Sequence, residues 1–151
     1  MKRWVLAGFM LVALAPIASA AEGLVSIKSG FPVKETIDRL ERTAREKGMT
    51  VFLRVDHAAG AAKIGTALRP TELLIFGNPQ GGTPLLQCAQ SAGIDLPLKA
   101  LAWQDMSGQV WLGYNDPAYV AKRHEIEGSC GAAIEAMSKA ISGLARAAAQ
   151  P

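Results

Sequence analysis

Cysteine and histidine are scarce in this chain. There are two of each, Cys88, Cys130, His57 and His124, among 151 residues. No pair falls at a C-x-x-C or H-x-x-x-H spacing, so no two ligands share one helical turn, and a metal centre is not expected. Charge of one sign is also lacking. Lysine and arginine number 16 against 13 acidic residues, and the two earliest bases, Lys2 and Arg3, lie in a segment expected to be removed. That leaves 14 against 13, which excludes the clustered basic excess that nucleic-acid binding requires. Aromatic residues make up 6%. There is no apolar run of the roughly 20 residues that span a bilayer.

The first twenty residues read as a signal peptide. Lys2-Arg3 form a basic n-region, Trp4 to Ala15 is almost wholly apolar, and Ala18-Ser19-Ala20 supplies the small residues before a cleavage site. Residues 21–151 are then one exported domain, expected to be periplasmic or secreted and free of the membrane after cleavage. Its 131 residues suffice for a hydrophobic core. An oxidising compartment permits a Cys88–Cys130 bridge. Two buried thiols acting as small apolar residues are the favoured alternative.

Periodicity outlines the fold. Residues 23–29 alternate as a strand. Between Val33 and Lys47 the apolar positions Val33, Ile37, Leu40 and Ala44 form a helical stripe. The opposite face pairs Glu35 with Arg39, Asp38 with Arg42 and Glu41 with Arg45, and Gly48 ends the helix. Met49 to Asp56 is a β-rich second strand. Residues 57–67, nearly all Ala and Gly, leave weak helix and loop equally open. Glu72 to Phe76 lacks alternation, which predicts a strand covered on both faces. Thr83 as N-cap and Pro84 at the first helical position predict a helix ending before Gly93.

Leu98 to Gln104 and Gln109 to Tyr114 read as a hairpin, with Trp103 opposite Val110 and Trp111 opposite Ala102. Asp116 and Pro117 start a short helix. A terminal helix from Ser129 to about Ala148 carries Ile134, Met137, Ile141 and Leu144 on one face, with an Ala-rich end expected to fray. The order β-α-β-β-α-β-β-α predicts an α+β domain, helices packed on a mostly antiparallel sheet.

Among these elements several segments resemble one family in order and content. They are V-x-E-T-I-D-R-L at Val33 to Leu40, V-D-H-A-A-G-A at Val55 to Ala61, and L-R-P-T-E-L-L-I-F-G-N-P-Q-G-G-T-P-L at Leu68 to Leu85. I-D-L-P-L-K-A-L at Ile94 to Leu101 and V-W-L-G-Y-N-D-P at Val110 to Pro117 follow. The chain resembles the bacterial domain of unknown function 302 family over residues 23–127, with the helix 129–148 beyond the matched core. The resemblance implies a TBP-like α+β fold and a homodimer, and it carries no activity, substrate or catalytic residue.

Candidate site residues come from the polar ends of strands. The turn Gly77-Asn78-Pro79-Gln80-Gly81-Gly82-Thr83-Pro84 lacks both the GK[ST] ending of a P-loop and the G-x-G-x-x-G spacing. Its helix start leaves backbone N–H groups for a small polar or anionic ligand. Asp56-His57 is the nearest approach to acid–base chemistry, with His57 the best catalytic candidate, although neighbours on a strand point to opposite faces. Asn115-Asp116 is chiefly a helix cap. If Asp56, His57, Gly77, Asn78, Thr83, Asn115 and Asp116 met at one pocket edge, they would form a ligand site. Ser129 and Cys130 near His124 lack a fixed base partner. A non-enzymatic binding or interaction module without cofactor is therefore favoured over a hydrolase or isomerase using His57.

Overall fold

Five strands in antiparallel pairs form one sheet in a computed structural model that describes residues 21–126 and 128–151. The expected signal segment lies outside the described residues. The strands are β1 (Leu24–Ser29), β2 (Thr50–Asp56), β3 (Thr71–Gly77), β4 (Leu98–Gln104) and β5 (Val110–Asn115), in the spatial order β1-β5-β4-β3-β2. The helices are α1 (Val33–Glu46), α2 (His57–Lys63), α3 (Pro79–Cys88), α4 (Pro117–Arg123) and α5 (Gly131–Ala149), with 3-10 turns at Gln90–Ile94 and Gly128–Cys130. The α+β class read from the sequence holds, but the order differs: α2 stands between β2 and β3, and two helices, α4 and α5, follow β5 where β-α-β-β-α-β-β-α has one.

One face of the sheet makes the core. Leu74, Phe76, Ala100, Ala102, Leu112 and Tyr114 point toward α1 and α5 and are buried with Val33, Ile37, Leu40, Ala44, Ile141 and Leu144. The apolar stripe read on α1 is this contact. A second cluster joins Leu85, Ala92, Ala121, Ile126, Cys130 and Met137 from α3, the 3-10 turn, α4 and α5.

The other face contributes nothing to either cluster. Cross-strand partners share a face, so the register sets out rows Leu53–Ile75–Lys99, Val55–Leu73–Leu101–Gly113 and Thr71–Trp103–Trp111–Lys28. Burial along β3 alternates accordingly, with Leu74 and Phe76 buried and Leu73 and Ile75 only half-buried. The expectation of cover on both faces is therefore corrected. An unbroken apolar run lies in a strand whose outer side is apolar without being covered by a helix.

Two further expectations are revised, and one point left open is resolved. Trp103 pairs with Trp111 and Gln104 with Val110, one residue from the expected register, because Asp105 and Gln109 close the hairpin through Asp105 N–H to the Gln109 carbonyl. Gly108 takes φ 85° in that turn. Gly113 admits the Trp103 ring, which a Cβ there would meet at 2.9 Å. The Ala-rich end of α5 is docked rather than frayed: Ala148 and Ala149 are buried, and Gly30 N–H donates to the Ala149 carbonyl at 2.9 Å. Residues 57–67, left open by their composition, begin with a helix capped by Asp56 and end as a turn.

The charge pairs expected along α1 are realised only in part. Glu41 meets Arg45 at 2.8 Å. Asp38 instead receives Arg54 at 2.6 Å and Lys34 at 2.8 Å, and Arg54 also contacts Glu72, which is buried. Glu72 first, then Asp38, hold the Arg54 guanidinium above its ordinary pKa, against desolvation. Asp38 is lowered in turn, with Lys34 the largest cause.

Candidate functional site

Helix α3 begins at the turn singled out in the sequence, but earlier than expected. Asn78 is the N-cap, its side-chain Oδ1 accepting from Gly81 N–H at 2.7 Å, and Pro79 occupies the first helical position. Pro84 lies inside the helix. Thr83-Pro84 therefore does not start the helix. An Asn-Pro pair one turn upstream offers the stronger cap and the same preset φ. The helix ends at Cys88, and the segment up to Ile94 is a 3-10 turn.

This start also limits anion binding. Of the first three helical N–H groups, Pro79 has none, and Gly81 is taken by Asn78. Gly82 already donates to the Asn78 carbonyl at 3.1 Å. Gln80 keeps the one N–H of this turn that helix geometry leaves without an internal partner.

Beside the turn lies a cavity of about 600 Å³. Its walls are α3 from Asn78 to Pro84 and a stripe of α5, and Met49, Phe52, Gly77, Leu96 and Leu98 also line it. The sequence explains the space. Helix α5 presents Ala133, Ala136 and Ala140 at i, i+3 and i+7, and α3 opposes them with Gly81 and Gly82. Methyl groups and hydrogens cannot fill the gap between two helices that the sheet and the second cluster hold apart. Asn78, Gln80 and Thr83 supply the polar groups of an otherwise apolar lining. A volume of this size suits a small organic molecule.

The bridge between Cys88 and Cys130 joins the end of α3 to the residue before α5, with Cα atoms 6.7 Å apart. The reading of two free thiols is corrected, since the fold brings two cysteines with a sequence separation of 42 back together. Cys130 is consequently no thiol nucleophile. It ties together the two cavity walls.

Of the expected site residues, Gly77, Asn78 and Thr83 line the cavity. Asp56 and His57 do not join them. Asp56 pairs with Glu72 at the start of β3, whereas Asn78 follows its end. The Asp56 carboxylate is engaged by Ala59 N–H at 2.8 Å, and His57 is exposed on α2. Asn115 stands at the same end of the sheet as Asn78 but borders only a crevice of about 10 Å³, and Asp116 caps α4 through Ala118 N–H at 2.9 Å. Asn78 and His57 thus lie at opposite ends of the sheet.

Sequence reading missed the alanine spacing on α5, which was legible as i, i+3, i+7 but was absorbed into an Ala-rich tail. It also missed a polar chain at the far end of the 3-10 turn. His124, the C-cap of α4, sets Nε2 2.6 Å from Asp95 Oδ2 and Nδ1 3.0 Å from Ser91 Oγ. Arg123 meets the other Asp95 oxygen at 3.1 Å. Ser91 and Asp95 sit 33 and 29 residues before His124, and no local pattern marks residues at such separations as partners.

Residues 25–144 match the family model described as domain of unknown function DUF302. The fluoride-specific ion channel FluC 1 of Brucella suis biovar 1 is 54% identical over 123 residues, covering 81% of this chain and 48% of that protein. The protein of the same name from Brucella abortus biovar 1 is 54% identical over 123 residues, 46% of its length. The chain thus spans about half the length of these curated relatives. A solved structure, that of an uncharacterized conserved DUF302 protein from Bacillus stearothermophilus, superposes with a TM-score of 0.75 at 19% identity, covering 85% of this chain and 99% of that one.

Proposed function

The chain belongs to the domain of unknown function DUF302 family, and from that premise we propose that it is an exported module that binds a small molecule between α3 and α5. One observation carries this reading: the cavity of about 600 Å³, apolar on most of its surface, with Asn78, Gln80 and Thr83 along one wall. Burial of an apolar ligand body contributes roughly 25 cal/mol per Å². The polar wall fixes which end enters first. A purely polar or anionic ligand is less well served, because the turn leaves only the Gln80 N–H. The ligand class is therefore a small molecule with an apolar body and one hydrogen-bonding end. The Cys88–Cys130 bridge supports an oxidising compartment such as the periplasm.

The test is thermal unfolding in the presence of two panels, short-chain amphiphiles and simple anions. Amphiphiles are expected to raise Tm, and Ala136→Trp, which fills the cavity from α5, is expected to remove the response. A rise with anions alone, or a flat response to both panels, would overturn the reading.

Fluoride conduction, named for the Brucella relatives, is not carried over. The matched region is about half of those proteins, and no helix among the described residues is long and apolar enough to cross a membrane.

A second reading concerns the uncovered sheet face. Its rows of Leu53, Leu73, Ile75, Leu101, Trp103 and Trp111 favour a homodimer built sheet against sheet. Sedimentation of the wild type against Leu101→Glu tests it: a dimer that becomes a monomer supports it, and a monomeric wild type rejects it.

A further inference from the structure

We propose that Ser91, His124 and Asp95 form a nucleophilic site that cleaves small carboxylic esters beside the cavity. Asp95 is a carboxylate and can only accept, so the 2.6 Å contact places the ring proton of His124 on Nε2. That tautomer leaves the Nδ1 lone pair directed at Ser91, whose hydroxyl donates to it across 3.0 Å. The imidazole and its carboxylate are largely enclosed, with side chains 8% and 12% exposed. Arg123 holds the second Asp95 oxygen and keeps that carboxylate oriented. Ser91, by contrast, is exposed and open to an incoming carbonyl. Nucleophile bonded to base and base bonded to an orienting group is the arrangement that activates a serine.

The chemistry balances without a cofactor. Ser91 Oγ forms a bond to the ester carbonyl carbon while its proton moves to His124 Nδ1. The tetrahedral adduct then expels the alcohol, which takes that proton, and leaves an acyl-serine. Water, deprotonated by the same nitrogen, releases the carboxylic acid and restores the serine. Asp95 is a positioning residue, fixing the tautomer and stabilising the imidazolium. Gly93 and Leu96, which neighbour Ser91 and Asp95 in the chain, line the cavity. Placing the acyl group there rests on the binding reading above, whereas the activation of Ser91 does not.

The experiment uses the whole folded protein, a fluorophosphonate probe, and p-nitrophenyl acetate and butyrate as substrates. Stoichiometric labelling is expected, mapped by mass spectrometry to the peptide carrying Ser91. Ser91→Ala, an exposed substitution expected to leave Tm unchanged, should abolish labelling and lower ester hydrolysis about 100-fold or more. Asp95→Asn should slow labelling and move the His124 ring ¹⁵N shifts away from the Nε2–H tautomer, a readout that a merely structural tether would not predict together with lost reactivity. No labelling, labelling at another residue, or unchanged hydrolysis in Ser91→Ala would overturn the proposal. Ala136→Trp separates the two readings. It should remove amphiphile binding and the preference for butyrate while Ser91 is still labelled, and Ser91→Ala should keep the amphiphile-induced rise in Tm.

Discussion

Arg39 on α1 closes the last turn of α5, its Nε donating to the Ala148 carbonyl at 3.0 Å. The same guanidinium reaches the Ala147 and Gln150 carbonyls at 3.1 and 2.6 Å and lies over the Phe31 ring, 4.0 Å from its centroid. A cation among the unpaired carbonyls of a helix C-terminus answers both their hydrogen bonding and the dipole. Arg39→Ala is therefore expected to destabilise the domain by about 1–2 kcal/mol, since these bonds are charge-assisted but partly open to solvent. Urea unfolding measures the loss, and amide exchange should accelerate first near Ala147 to Gln150. Uniform exchange across the domain would count against the local account.

Arg54 and Glu72 make a second test. Arg54→Ala leaves the buried Glu72 carboxylate facing α1 without its cation, a loss of about 3 kcal/mol. Arg54→Met with Glu72→Leu removes both charges and should recover most of that loss. Chemical denaturation of the single and double variants decides, with no recovery in the double arguing against an electrostatic origin.

Asp105 organises the β4–β5 turn and responds to acid. Its carboxylate accepts from Ser107, from Gln109 N–H and from the Trp111 indole N–H at 2.8 Å, with Ser107 the largest cause of a pKa lowered to about 2 from 3.8. A folded-state value below the unfolded one stabilises the fold above pH 4, an effect lost as pH falls from 4 through 2. The Trp111 indole proton is expected to shift in NMR across that window and not between pH 5 and 8. In Asp105→Asn the transition should vanish.

The bridge from Cys88 to Cys130 closes a loop with a sequence separation of 42. On chain-entropy grounds a loop of this length contributes about 4 kcal/mol. Replacing both cysteines by serine is expected to lower the unfolding midpoint accordingly. Amphiphile binding should weaken as well, because α3 and α5 lose their covalent tie. Unchanged stability in the presence of reductant would contradict this.

Much of the architecture was legible because it repeats. The α1 stripe at Val33, Ile37, Leu40 and Ala44 and the alternation over residues 23–29 each state one periodicity several times. What stayed hidden depended on single relations. The Trp103–Trp111 register turned on the closure of the turn by Asp105 N–H on the Gln109 carbonyl. The helix start turned on Asn78-Pro79 outcompeting Thr83-Pro84, two caps of the same kind five residues apart. Two residues of the expected site, Asp56 and His57, fell away from it for a topological reason. Residues at strand ends look alike in sequence, but antiparallel pairing sends Asp56-His57 and Asn78 to opposite edges. The cavity was written in alanine, where small side chains read as helix propensity rather than as space.

The closed loop has a consequence for degradation. It contains the whole β4–β5 hairpin, whose tip carries Met106 with 89% of its surface exposed. A protease cutting at that tip severs the backbone inside the ring, and both pieces stay joined through sulfur. The nicked chain would run at full mass on a non-reducing gel and as two fragments after reduction. The sheet keeps its partners through such a cut, so damage at this exposed hairpin tip releases no part of the molecule.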